Sequence, residues 1–270
     1  MLRSWSVRAT ACLAATLAVT LTLAACGTDD EVATPAAPSS LPESTSVSGT
    51  LNVFAAASLT GTFTELGKAF EAANPGTTVV FNFGASSALA QQVVSGAPVD
   101  LFAAASPATM KTVTDAGDAG AAEVLVRNRL QIAVPADNPG AVTGLADFAE
   151  ADLEIALCAP KVPCGAAATK AFEAAGITPS VDTEEQDVKA ALAKVTLGEV
   201  DAALVYRTDV LAAGEKVRGI AFPEADEAVN DYLIAVTTEA TNPNAAVAFV
   251  AYVLSPQGQR VLTAAGFDSP

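Results

Sequence analysis

From residue 51 onward the chain alternates short apolar runs with amphipathic stretches. Residues 51–57 (LNVFAAA) form a continuous apolar run of strand length. Leu59, Phe63, Leu66 and Phe70 then recur at steps of four, three and four, which is one face of a helix. Asn74-Pro75-Gly76 ends that pattern. Val79, Phe81 and Phe83 alternate as a strand does, and residues 87–96 (SALAQQVVSG) read as a short helix. Residues 99–105 (VDLFAAA) predict a second buried strand. Ser106-Pro107 then supplies an N-cap with proline in the first helical position.

A second series starts at residues 129–135 (RLQIAVP). It predicts strands at 153–158, 201–206, 217–222 and 231–237, helices at 164–176 and 187–198, and a closing helical pair at 242–255 and 256–266. Alternating β and α units imply open, mostly parallel sheets with helices on both faces. Two series of this size predict an α/β protein of two lobes. Ligands of such sheets bind beyond the carboxyl ends of strands, where helices begin.

The first residues stand apart from this pattern. Arg3 and Arg8 precede an apolar stretch at 11–25, the layout of a signal peptide. Leu23-Ala24-Ala25-Cys26 resembles a bacterial lipobox, in which the cysteine is acylated and becomes the new N-terminus; the alternative is an ordinary signal peptide with a chance cysteine. Residues 26–48 are rich in Pro, Ser, Thr and acids and predict a disordered tether. Cleavage after Ala25 removes two basic residues and no acid, so the net charge goes from −16 to −18. Such a chain should not seek nucleic acid or anionic lipid headgroups. Of the remaining cysteines, Cys158 and Cys164 are expected to pair outside the cytoplasm. A metal site is the rival, but this spacing supplies two ligands and the chain has no histidine.

The candidate chemistry gathers where strands give way to helices. Ser58 follows the alanine run, and Ser86-Ser87 repeats the strand–turn–serine–helix arrangement after FNFG. Each serine has a plain reading as a helix cap, and Thr60 and Thr62 are available for that task too. Two helix N-termini with hydroxyls and free N–H groups also make a cradle for an oxyanion. A nucleophilic serine would need a base, usually histidine, which is absent. The Cys158–Cys164 loop leads into the helix that starts near Cys164. Val188 lies in a first helical turn behind the N-cap candidate Asp187, and Tyr206 ends a strand where its hydroxyl can reach a cleft. Arg207 could add charge there or lie on the surface.

These blocks, VFAAASL, FGASSALAQQVVSGAPVDLFAAAS, VPCG and DVKAALAKVTLGEVDAALVY, come in the order seen in periplasmic molybdate-binding proteins of ABC importers, which the chain resembles from Leu51 to Phe267. The resemblance implies a type II periplasmic-binding-protein fold, with lobe 1 at 49–127 plus 222–270, lobe 2 at 128–221, and ligand clamped between them. It implies that Ser58 and Ser86 offer hydroxyls and N–H groups to molybdate or tungstate, Cys164 and Val188 their N–H groups, and Tyr206 its phenol. Where the family often has alanine, this chain has Cys164, so only its backbone donor is asked to bind. No cofactor, no direct metal ligand and no catalysis are implied. The implied protein is a monomer, lipid-anchored at Cys26 on the outer face of the cell membrane, delivering its ligand to a permease driven by a cytoplasmic ATPase. A receptor for another oxyanion such as sulfate is the alternative, and a serine hydrolase a remoter one.

Overall fold

The computed structural model describes residues 47–270. The signal peptide, Cys26 and the tether up to residue 46 lie outside the described residues. Val47 and Ser48, expected in the tether, belong to the fold. The Val47 carbonyl accepts from the Thr77 hydroxyl, and the Ser48 carbonyl from the Asn242 amide.

The first sheet is built from β1 (Gly49–Ala56), β2 (Thr77–Gly84), β3 (Leu101–Ala104) and β4 (Glu123–Asn128), with β10 (Asn230–Val236) inserted to give the order β2-β1-β3-β10-β4. α1 (Thr60–Ala73), α2 (Ser86–Val94) and α3 (Pro107–Ala116) connect its first four strands. The second sheet has β5 (Leu130–Pro135), β6 (Ile155–Cys158), β7 (Thr183–Glu185), β8 (Ala202–Tyr206) and β9 (Val217–Ile220) in the order β7-β6-β8-β5-β9. Its helices are α4 (Pro163–Ala175), α5 (Val188–Thr196) and α6 (Arg207–Ala213); α7 (Pro243–Leu254) and α8 (Pro256–Ala264) close the chain.

The two sheets share one plan. In each, four strands point one way and one points against them, β10 in the first and β5 in the second. Each reversed strand is the one by which the chain enters that sheet from the other. The two crossings run side by side, because Asn128 and Asn230 are register partners. The lobes therefore meet at Asn128–Leu130 and just before Asn230. Asn128 completes β4 rather than opening the second lobe.

The packing follows the apolar pattern. Leu51, Val53 and Ala55 of β1 and Leu59, Phe63 and Leu66 of the following helical face are fully buried. Phe63 and Phe70 meet the Phe249 ring of α7 edge-on, with centroids 6.0 and 5.2 Å apart. Burial of such rings contributes roughly 1.5–3 kcal/mol each. Asp100 joins β1 to the start of α7: it accepts from Asn52 N–H at 2.7 Å, Asn242 N–H at 2.9 Å and the Thr241 hydroxyl at 2.9 Å.

Three elements escape the hydrophobic pattern. In β4, Glu123, Val124 and Arg127 are exposed, and β7 is three polar residues. α6 is short and starts directly at the end of β8. Arg207 does not supply charge to a cleft. Its guanidinium holds the Gly266 carbonyl (Nε–O 2.8 Å) and Asp268 (2.8 Å), while Arg129 also bonds Asp268 at 3.1 Å.

Candidate functional site

The carboxyl ends of β1, β2 and β3 face those of β6, β7 and β8 across a small cavity. Ser58, Ser86, Cys164, Val188 and Tyr206 all line it, together with Ala56, Ala57, Gly84, Ala85, Ala105, Val162, Pro163 and Asp187. The room open to the centre of a water-sized sphere is about 20 Å³. One water needs roughly 10–15 Å³ on that measure, so the space suits a compact ion rather than an organic solute. The alanines of β1 and of the β2–α2 turn keep its walls close to the backbone.

From the first sheet, Ser58 sits in a 3-10 turn, Ala57–Leu59, between β1 and α1. It is not a cap; its Oγ lies 2.8 Å from the Tyr232 phenol oxygen. Thr60 and Thr62 do not cap either, because their hydroxyls donate backward to the Ala57 and Leu59 carbonyls. Ser86 is the first residue of α2, and its Oγ accepts the Ala105 N–H at 3.0 Å.

From the second sheet, Cys164 follows Pro163 at the start of α4 and is disulfide-bonded to Cys158 at the end of β6. The pairing read from the sequence is thus present. The turn folds back so closely that a Cβ on Gly165 would come within 2.0 Å of the Ala159 oxygen; only glycine fits. Proline has no N–H, so the Cys164 N–H is the first donor of α4. At α5, Asp187 Oδ1 accepts from Lys189 N–H at 2.8 Å and Ala190 N–H at 3.0 Å. That leaves the Val188 N–H outside the cap. Tyr206, 1% exposed, ends β8, and its phenol oxygen accepts from Asn230 Nδ2 at 2.6 Å.

A pattern emerges among the helix starts. α3, α5, α7 and α8 carry side-chain caps from Ser106, Asp187, Asn242 and Ser255. The 3-10 turn at Ser58, α2 and α4 start at the cavity and have no side-chain cap among the described residues. The first N–H groups of a helix lack intrahelical partners, and the residues of three uncapped starts and Val188 line one small space.

The donors there are neutral. Burial, above all, pushes the Tyr206 phenol well above its ordinary range, with the Asn230 hydrogen bond opposing it in part. Burial likewise raises Tyr232. Both phenols keep their protons at neutral pH. Behind Val188, the Lys189 ammonium lies 2.8 Å from the fully buried Asp209, which also accepts the Tyr206 N–H at 3.2 Å. Burial raises Asp209's pKa and Lys189 opposes that. Asp187 is the one charged residue in the lining, and its Oδ1 is engaged in the α5 cap. An assembly of N–H and O–H donors with little room suits a small multi-oxygen anion.

Sequence reasoning missed the residues behind the donors. Asn128 Nδ2 lies 3.4 Å from the Tyr232 phenol oxygen and 2.9 Å from Thr208 Oγ1, and Asn230 Nδ2 also reaches the Pro163 carbonyl at 3.3 Å. These residues come from the crossing strands, far from any serine in the chain. No local motif marks them.

The profile of the family described as bacterial extracellular solute-binding protein matches residues 51–268. The molybdate-binding protein ModA of Mycobacterium tuberculosis is 40% identical over 92% of this chain and 93% of its own length. The molybdate-binding protein ModA of Escherichia coli is 32% identical over 81% of this chain and 89% of its own length. Among solved structures, the substrate binding domain of putative molybdenum ABC transporter from Clostridium difficile superposes with TM-score 0.63 at 26% identity, covering 82% of this chain and 99% of that one. The periplasmic molybdate-binding protein of Azotobacter vinelandii shares the fold with TM-score 0.71 at 22% identity, covering 82% and 99%.

Proposed function

The chain belongs to the family of bacterial extracellular solute-binding proteins, and we propose that within it this protein captures molybdate and hands it to an ABC importer. The observation that carries the reading is the convergence of uncapped helix starts with the hydroxyls of Ser58, Ser86 and Tyr206 on a cavity of ion size. In this reading Ser58 and Ser86 give hydroxyl and N–H, Cys164 and Val188 give N–H, and Tyr206 gives its phenol. Relatives that carry the name molybdate-binding protein support the choice of ion. Tungstate, nearly the same size, binds the same donors. Bonds to a charged acceptor contribute about 1.5–3 kcal/mol each, so a handful of neutral donors suffices without a basic residue.

The protein does no chemistry on its ligand. The chain has no histidine to activate a serine, and the oxygens of Ser58 and Ser86 face a phenol and a backbone N–H instead. Outside the described residues, Cys26 carries the lipid that holds the receptor at the outer face of the membrane, with residues after it as tether. Among the described residues no helix is long and apolar enough to cross a membrane. The partners are a permease and its ATPase.

Isothermal calorimetry on the chain from residue 26, with Cys26→Ser, tests the ligand. One-to-one binding of molybdate with little response to sulfate is the expected result. Binding of neither ion would overturn the receptor reading.

A further inference from the structure

Every hydroxyl in the cavity has behind its oxygen a group able to donate to it. Ser86 Oγ accepts from the Ala105 N–H. Tyr206 Oη accepts from Asn230 Nδ2. The Ser58–Tyr232 contact can run either way taken alone, but Asn128 Nδ2 stands beyond Tyr232 Oη. An amide nitrogen can only donate. With Asn128 donating to it, Tyr232 has its own hydrogen to give to Ser58 Oγ, the arrangement in which the Ser58 hydrogen turns to the cavity.

Which end of each amide is nitrogen is fixed by backbone partners. The Arg129 N–H, which only donates, meets Asn128 Oδ1 at 3.1 Å. The Pro163 carbonyl, which only accepts, meets Asn230 Nδ2 at 3.3 Å. Asn128 and Asn230 are also neighbours across β4 and β10.

The geometry points to Asn128 and Asn230 as specificity-determining positioning residues that turn the cavity hydroxyls into hydrogen donors only. The inference rests on the oxyanion reading above and deepens it. A proton-free dianion offers only acceptors and is met by donors throughout. A protonated anion such as hydrogen phosphate or hydrogen arsenate brings an O–H that needs an acceptor, and none of the three hydroxyls turns its hydrogen aside to provide one. Leaving such a group without a partner is costly in a buried site. Asp187 is the one carboxylate in the lining; its cap to α5 occupies Oδ1 with Lys189 and Ala190 N–H, which leaves Oδ2 as its acceptor for such a group.

Chromate and hydrogen arsenate at mildly alkaline pH are the discriminating pair, since both are dianions of similar size and only arsenate carries a proton. Molybdate, chromate and arsenate are titrated into the mature chain carrying Cys26→Ser and into two variants of it. Tyr232→Phe deletes the oxygen that relays Asn128 to Ser58. Asn230→Leu removes the donor behind Tyr206, through the other relay. The unmodified site should prefer chromate to arsenate at least about tenfold, and each variant should shrink that preference by about tenfold while still binding molybdate more weakly. A merely structural role would weaken both anions alike. An unchanged chromate-to-arsenate ratio in whichever variants fold, or no preference in the unmodified protein, overturns the proposal. Failure of the unmodified protein to bind molybdate at all is a separate result, which sinks the receptor reading and this inference with it.

Discussion

Ser86→Ala is the sharpest perturbation of the site, because one oxygen has two tasks. Ser86 is 1% exposed, and its Oγ accepts the Ala105 N–H at 3.0 Å, which leaves its own hydrogen to donate elsewhere. Alanine removes both bonds and adds no bulk. On the ligand side the loss is one bond to a charged acceptor, about 1.5–3 kcal/mol, or roughly ten- to a hundredfold in affinity. On the protein side the Ala105 N–H at the end of β3 is left buried without its partner, a cost of about 1–3 kcal/mol. For a unit of this size that lowers the melting temperature by about 2–4 °C per kcal/mol. Calorimetric titration with molybdate and thermal melts of the ligand-free protein read the two tasks separately. Weaker binding with an unchanged melt would refute the buried bond to Ala105. A lower melt with unchanged affinity would remove Ser86 from the site.

Three other outcomes are expected. Replacing Cys158 and Cys164 by serine opens a loop with a sequence separation of six, which costs about 2 kcal/mol on the chain-entropy estimate and also weakens molybdate binding, since the first donor of α4 loses its anchor; equal affinity in calorimetry would show that the loop holds itself. Asp100 is the acid-sensitive joint of the first sheet: burial raises its pKa, but the N–H groups of Asn52 and Asn242 and the Thr241 hydroxyl outweigh that and hold it below the ordinary value. Its contribution is complete above about pH 4 and lost as pH falls through the lower folded value, so Asp100→Asn should flatten the acid limb of a stability–pH curve, and an unaltered limb would refute the assignment. The net charge of −18 on the chain from residue 26 repels an approaching dianion over roughly a 10 Å screening length at 0.1 M salt, so stopped-flow association should quicken with added salt while dissociation stays constant; slower association would mean that nearby lysines steer the ion.

The sequence made some parts of this molecule legible and left others hidden, for physical reasons. Strands such as LNVFAAA and LEIALC are buried on both faces, so burial writes itself into composition, and amphipathic helices such as α1 announce their period. The disulfide was legible because reading Cys12 and Cys26 as parts of a leader and a lipobox leaves two cysteines to pair. β4 was not, since an outer strand with exposed Glu123 and Arg127 looks like a loop. The ends of strands carried the five candidate residues, because the α/β plan forces loops and helix starts together there; their gathering round one cavity is visible only in three dimensions. Tyr232, Asn128 and Asn230 are unmarked, because a relay through space leaves no spacing in the chain.

That relay also ties selectivity to the arrangement of the lobes. Asn128 ends β4 of the first sheet, yet its amide reaches Thr208 in α6, beside the second sheet. Asn230 opens β10 of the first sheet, yet it holds Tyr206 at the end of β8 and the Pro163 carbonyl at the start of α4. A motion that parted the lobes at these crossings would strain the bonds that orient the hydroxyls. The Arg207–Asp268 and Arg207–Gly266 contacts, which tie α6 to the end of the chain, run across the same division. An open receptor would then meet its ion with hydroxyls free to turn, and only closure would fix them as donors. Discrimination against a protonated anion would thus fall in the closing step, where each unmatched group becomes buried, rather than in the first encounter. On this account the asparagines would join the lobes and orient the hydroxyls together, which would give a physical reason for amides rather than apolar side chains at two buried strand ends.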